Sequence, residues 1–168
     1  MKLTLFSILL GLATITWSKP KPCSKPNHQA FNFWLGTWDV RTANGKEAGL
    51  NEITRVNECL ILESWTGKKG LKGSSMNYYD PQLQQWVQHW VSADGTIIHL
   101  KGEAKEQGIA MEGTIYYAKT KKTFPFRGEW QQLKDKRVRQ YFSQQDPKTM
   151  KWVTWFEGFY KKRAGKTP

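Results

Sequence analysis

A chain of 168 residues holds one domain with a sizeable core and is too short for two. Its two cysteines and three scattered histidines show no metal-ligand spacing, and no cofactor motif, phosphate loop or Ser-His-Asp arrangement is readable. The formal charge of +12 admits contact with polyanions such as acidic glycans, lipid head groups or nucleic acid, yet the charges are dispersed and cluster only at 119–122 and 161–166, so a solvated surface is the simpler reading.

Behind Lys2, residues 3–15 form an apolar run too short to span a bilayer and followed by no stop-transfer segment. Thr16 and Ser18 are small enough for a cleavage site, so residues 1–18 read as a secretory signal, with a retained anchor as the alternative. Export, secreted or periplasmic, would place Cys23 and Cys59 in an oxidising compartment, where two cysteines usually pair. The bridge would tie a Pro-rich leader, residues 19–30, onto the rest of the chain. Two free thiols are the competing reading.

Residues 26–35 read as one short helical turn or lid. Trp34 and Trp38 then bracket Gly36, where the backbone can bend sharply into a first strand. A Trp at that point can plug one end of a closed sheet because it buries more area than any other side chain. Alternating or short apolar blocks between turn signals predict strands over 37–42, 46–57, 60–66, 74–80, 86–92, 96–104, 109–117, 126–133, 137–144 and 150–160. Asn44-Gly45, Asp80-Pro81, Asp94-Gly95, Gln107-Gly108, Lys134-Asp135 and Asp146-Pro147 supply the turns. Every connection is short, so sequence neighbours should be spatial neighbours. The expected fold is all-β: a single antiparallel up-and-down barrel of about ten strands over residues 31–163, closed so that no edge is left free, with a basic tail at 164–168.

Period two sorts each strand into faces. Glu63 and Trp65 share a face of the third strand with Ile61. Ser75, Asn77 and Tyr79 share one on the fourth, Trp86, Gln88 and Trp90 one on the fifth, and Val138, Gln140 and Phe142 one on the ninth. On the last strand, Trp152, Thr154, Phe156 and Tyr160 oppose Val153, Trp155, Glu157 and Phe159. Aromatic rings with a few placed polar groups suit a small-molecule pocket. A barrel packed solid by the same side chains is the alternative. The excess of polar groups favours the pocket, since a buried carboxylate, amides and a hydroxyl are costly without a purpose or a water. The expected ligand-binding set is Glu63, Trp65, Ser75, Asn77, Tyr79, Gln88, Trp90 and Gln140, around one cavity open near the loop at 67–73.

Several motifs fall in order: FNFWLGTWDV at 31–40, GLNEI at 49–53, LESW at 62–65, SMNYYDP at 75–81, QWVQHWV at 85–91, RVRQ at 137–140 and FEGFYKKR at 156–163. Together they resemble an uncharacterised family of exported, mostly bacterial, lipocalin-like proteins. The Gly-x-Trp opening is itself similar to that of lipocalin-like barrels. The resemblance spans the chain after the signal and includes Cys23 and Cys59, which that family also tends to carry. It implies the barrel and export but supplies no reaction. Ser92 departs from it, standing where the family often has Asp.

Four functions compete. The first is an exported barrel holding a partly aromatic, partly polar small molecule, with Trp65, Trp90 and Tyr79 as flat contact area and Glu63, Asn77 and Gln88 as orienting groups. The second is a lyase or isomerase using Glu63 as general acid/base with Tyr79 or His89 as proton partner. The third, haem binding, needs an inward axial ligand. His28 falls in the leader, His89 opposes Gln88, and His99 shares a face with Ile97 and Lys101. The fourth is weak electrostatic binding of polyanions through Arg137, Arg139 and Tyr141, with affinity falling steeply as salt rises.

Overall fold

The computed structural model describes residues 19 and 21–163; the expected signal and basic tail lie outside the described residues. Ten strands follow one another: β1 (Gly36–Thr42), β2 (Glu47–Asn57), β3 (Leu60–Gly67), β4 (Lys72–Asp80), β5 (Gln85–Ser92), β6 (Ile97–Lys105), β7 (Gly108–Tyr117), β8 (Lys122–Gln132), β9 (Val138–Gln145) and β10 (Trp152–Lys162). Each pairs antiparallel with its neighbours in sequence, and β1 pairs with both β2 and β10, so the sheet closes into an up-and-down barrel. Closure satisfies the backbone groups that an edge strand would expose. Among the described residues no helix is long and apolar enough to cross a membrane.

Two local features differ from the sequence expectation. β8 begins at Lys122 rather than at 126 and runs through Pro125. Pairing with β9 begins only at Phe126, so Pro125 lies where the strand has a partner on one side alone, a position a proline tolerates. The second is a register shift between Thr154 and Phe156 of β10. A bulge of this kind inverts the side-chain alternation on one side of it. Trp155 turns inward against Phe126 and Phe142, with ring centroids 5.4 and 6.1 Å away. Trp152 lies outside under the Arg127 guanidinium, 3.9 Å from its ring centre. The grouping of Trp152 and Thr154 with Phe156 is thereby corrected.

The leader closes one end of the barrel. A one-turn helix, α1 (Pro26–Gln29), and a 3-10 turn (Asn32–Trp34) bring Phe31 and Trp34 down into the barrel, both fully buried. Phe31 stacks on Trp34 at 4.9 Å and meets the edges of Trp86 and Trp130 at 5.4 and 5.3 Å. The Trp38 indole N–H donates to the Trp34 carbonyl at 2.9 Å, and that of Trp86 to the Asn27 carbonyl at 3.0 Å. Gly36, at φ +131°, occupies backbone space that other residues rarely enter, and turns the chain from this plug into β1.

Cys23 and Cys59 form a disulfide that pins the leader to the β2–β3 turn, and it is consistent with an oxidising, extracytoplasmic compartment. It closes a loop across a sequence separation of 36. Cys23→Ser with Cys59→Ser is expected to lower the unfolding free energy by about 2–4 kcal/mol, read as a fall in urea midpoint with the β circular-dichroism spectrum retained.

Candidate functional site

Inward positions on the strands fall into layers. At the leader end lies the aromatic plug. Above it an arc of polar side chains crosses the barrel on β2–β5, β9 and β10, while Ile98, Leu100, Met111, Ile115 and Phe126 give the wall of β6–β8 an apolar surface. The polar arc is one connected chain. Gln88 Nε2 donates to Asn77 Oδ1 at 2.8 Å, Asn77 Nδ2 to Ser75 Oγ at 2.8 Å, and Ser75 Oγ to Glu63 Oε2 at 2.6 Å. From the other side Asn51 Nδ2 donates to Glu63 Oε1 at 2.6 Å and to the Tyr160 hydroxyl at 3.4 Å, and that hydroxyl donates to Gln140 Oε1. Both arms therefore meet at Glu63, which is 4% exposed.

Above this arc lies a cavity of about 160 Å³. Its floor is Glu63, Gln88, Gln140 and Tyr160; its walls are Trp65, Trp90, Phe142, Trp155, Phe156 and Ile98. Leu71, Ser92, Asp94 and Thr96 form the mouth, so it opens at the end opposite the leader, beside the loop at 68–71. Trp90 lies across β4 because Gly73 leaves room for it: a Cβ on Gly73 would stand 2.2 Å from the indole.

Electrostatics set the floor apart. Burial pushes the Glu63 carboxyl up to about 7, against the hydrogen bonds from Ser75 and Asn51 that favour its charged form. Burial, and then the Glu63 charge, raise the Tyr160 phenol well above its ordinary value, so it stays neutral. At the mouth, the Thr96 backbone N–H donates to Asp94 Oδ1 at 3.0 Å and holds that carboxyl below the usual range. Among the described residues no group of three or more His, Cys, Asp or Glu is placed to hold a metal ion. No protein-family model and no curated protein sequence matches the chain.

Of the eight residues grouped from the sequence, Glu63, Trp65, Gln88, Trp90 and Gln140 line this cavity. Ser75 and Asn77 sit behind its floor in the polar chain. Tyr79 does not join them. It has the expected parity, but four residues along β4 from Ser75 amount to about 13 Å toward the leader. There its hydroxyl accepts from Asn27 Nδ2 at 3.1 Å and its ring packs on His28 and Trp86. The tyrosine of the Glu63 network is Tyr160.

Asn51 and Tyr160 were not singled out from the sequence, although Asn51 shares parity with the inward Ile53 and Tyr160 with Phe156. The three histidines lie elsewhere: His28 in α1, and His89 and His99 paired on the outer face with ring centroids 4.5 Å apart. Of the expected polyanion surface, Arg137 is bonded to Asp135 at 2.7 Å and Arg139 to Glu157 at 2.6 Å.

Proposed function

We propose that this barrel binds a small molecule, about the size of one aromatic ring with a polar end, in the cavity above Glu63. The observation that carries this reading is the cavity itself. Aromatic walls end on a floor of hydrogen-bonding groups, while the polar chain below is linked through its own hydrogen bonds, with Asn51 Oδ1 the one buried atom of it left without a partner. A cavity of about 150 Å³ is enough for a benzene-sized guest. The apolar body would lie against Trp65, Trp90 and Trp155, and the polar end would meet Glu63, Gln88 or Gln140. An exported location, as the motif resemblance implies, would make the protein a carrier or sensor of a molecule met outside the cytoplasm.

Mass spectrometry of small molecules released from natively purified protein tests the reading. A single-ring compound is expected in the wild type and at least about fivefold less of it in Trp90→Ala, since a ring face against the guest is worth on the order of 1 kcal/mol or more. Titrating the recovered compound should quench Trp fluorescence in the wild type and not in Trp90→Ala. Gly73→Ala should weaken binding as well, by driving the Trp90 ring into the cavity without removing it. Equal retention by all three proteins, or none by any, would contradict the reading.

A second reading has one observation in its favour. A carboxyl raised to about 7 at the floor of a cavity has the character of a general base at neutral pH. In that case Glu63→Gln would bind the recovered compound and leave it unchanged, whereas the wild type would convert it.

A further inference from the structure

Resting on the ligand-binding reading, we infer that the cavity selects a small organic cation, a primary or substituted ammonium carried on a ring-sized apolar group. The observation is a mismatch of charge. The chain carries +12, yet none of the fourteen residues lining the cavity is Lys, Arg or His, and two of them are Glu63 and Asp94. The six ion pairs among the described residues are all between other residues, so none of the described residues gives Glu63 a cation.

A carboxylate has room for about four hydrogen bonds. Asn51 and Ser75 supply one to each oxygen of Glu63, and the side chain also faces the cavity. An ammonium there would give the buried charge the partner that the fold withholds, which is the condition under which a buried carboxylate is stable. The walls suit the same guest. Trp65, Trp90 and Trp155 carry the indole ring, the side chain whose face attracts cations most strongly. Asp94, held ionised at the mouth, would draw a cation in and turn an anion away. A carboxylate ligand would face two like charges, and a neutral one would leave Glu63 without its counter-charge.

Three single-ring probes of different charge separate the cases: benzylammonium, benzyl alcohol and benzoate, titrated calorimetrically at about pH 8, where Glu63 is ionised and the amine still protonated. Benzylammonium is expected to bind about tenfold or more tighter than benzyl alcohol, with benzoate weakest. Glu63→Gln, which keeps the shape, should bring the ammonium-to-alcohol ratio close to one. Asp94→Asn, at an exposed position, should lower the ratio about two- to threefold, and it serves if Glu63→Gln does not fold.

At about pH 7, titrations in two buffers of different ionisation enthalpy add an independent readout. Ammonium binding should release up to about half a proton from Glu63, and alcohol binding none. The groups bonded to Glu63 or joined to it through the network are Asn51 from β2, Ser75 and Asn77 from β4, Gln88 from β5, Gln140 from β9 and Tyr160 from β10; only Tyr160 titrates, and it stays neutral. Equal affinity for ammonium and alcohol would overturn the cation assignment and leave the ligand site standing. A preference unchanged in Glu63→Gln would overturn it too. Binding of none of the three would overturn both.

Discussion

Trp34→Ala is expected to lower the unfolding free energy by about 3–5 kcal/mol, the range for emptying a fully buried aromatic site. Trp34 has no exposed surface, and its ring meets Phe31, Trp130 and Tyr160 with centroids 4.9, 5.7 and 6.4 Å away. It lies in the 3-10 turn before β1 rather than in the sheet, so its loss unseats the plug and opens the closed end of the barrel. The indole Nε1 is buried without a hydrogen-bond partner. Trp34→Phe should therefore cost much less than Trp34→Ala, because the change removes volume and no polar contact. Urea unfolding of the three proteins decides this. Equal losses for both variants would show that the indole N–H contributes more than its surroundings indicate.

The second large effect is a dependence of stability on pH that runs opposite to the usual carboxylate case. Glu63 titrates near 4.5 when free and near 7 in the fold. Between those values the native protein holds a proton that the unfolded chain has released, so stability falls as pH rises. The penalty is absent below about pH 4.5 and complete above about pH 7. The gap corresponds to about 3 kcal/mol. Glu63→Gln, which keeps the side-chain shape and cannot ionise, should match the wild type near pH 4 and exceed it by up to that amount near pH 8. Denaturation midpoints across this interval measure the difference between the two curves, and the other titrating groups, His89 included, cancel in the comparison. Parallel curves would show that Glu63 is not desolvated.

The barrel was legible because its signals are local. Asn44-Gly45 and Asp94-Gly95 mark hairpins, and short connections leave adjacent strands little choice but to pair. The plug was legible in Trp34 and Trp38 around Gly36, and the bridge in two cysteines beside an apparent export signal. Within the site, parity placed Glu63, Trp65, Gln88, Trp90 and Gln140 on the interior because β3, β5 and β9 carry no bulge between those residues and the floor. Parity says nothing of height along the barrel axis, which is why Tyr79 grouped with residues that lie toward the other end. It also fails across an irregularity, and the shift between Thr154 and Phe156 hid Trp155, the third tryptophan of the cavity. Asn51 and Tyr160 became visible only through closure, which brings β2 and β10 to either side of β1 and joins their polar groups below the cavity.

The indole N–H resonances of a ¹⁵N-labelled sample, recorded as benzyl alcohol is added to saturation, test the ligand site most directly. Trp65, Trp90 and Trp155 should shift and reach a plateau together, while Trp34, Trp38 and Trp130 in the plug stay in place. Shifts confined to the plug or to Trp152 on the outer face, or no saturable shift at any tryptophan, would contradict a binding cavity above Glu63.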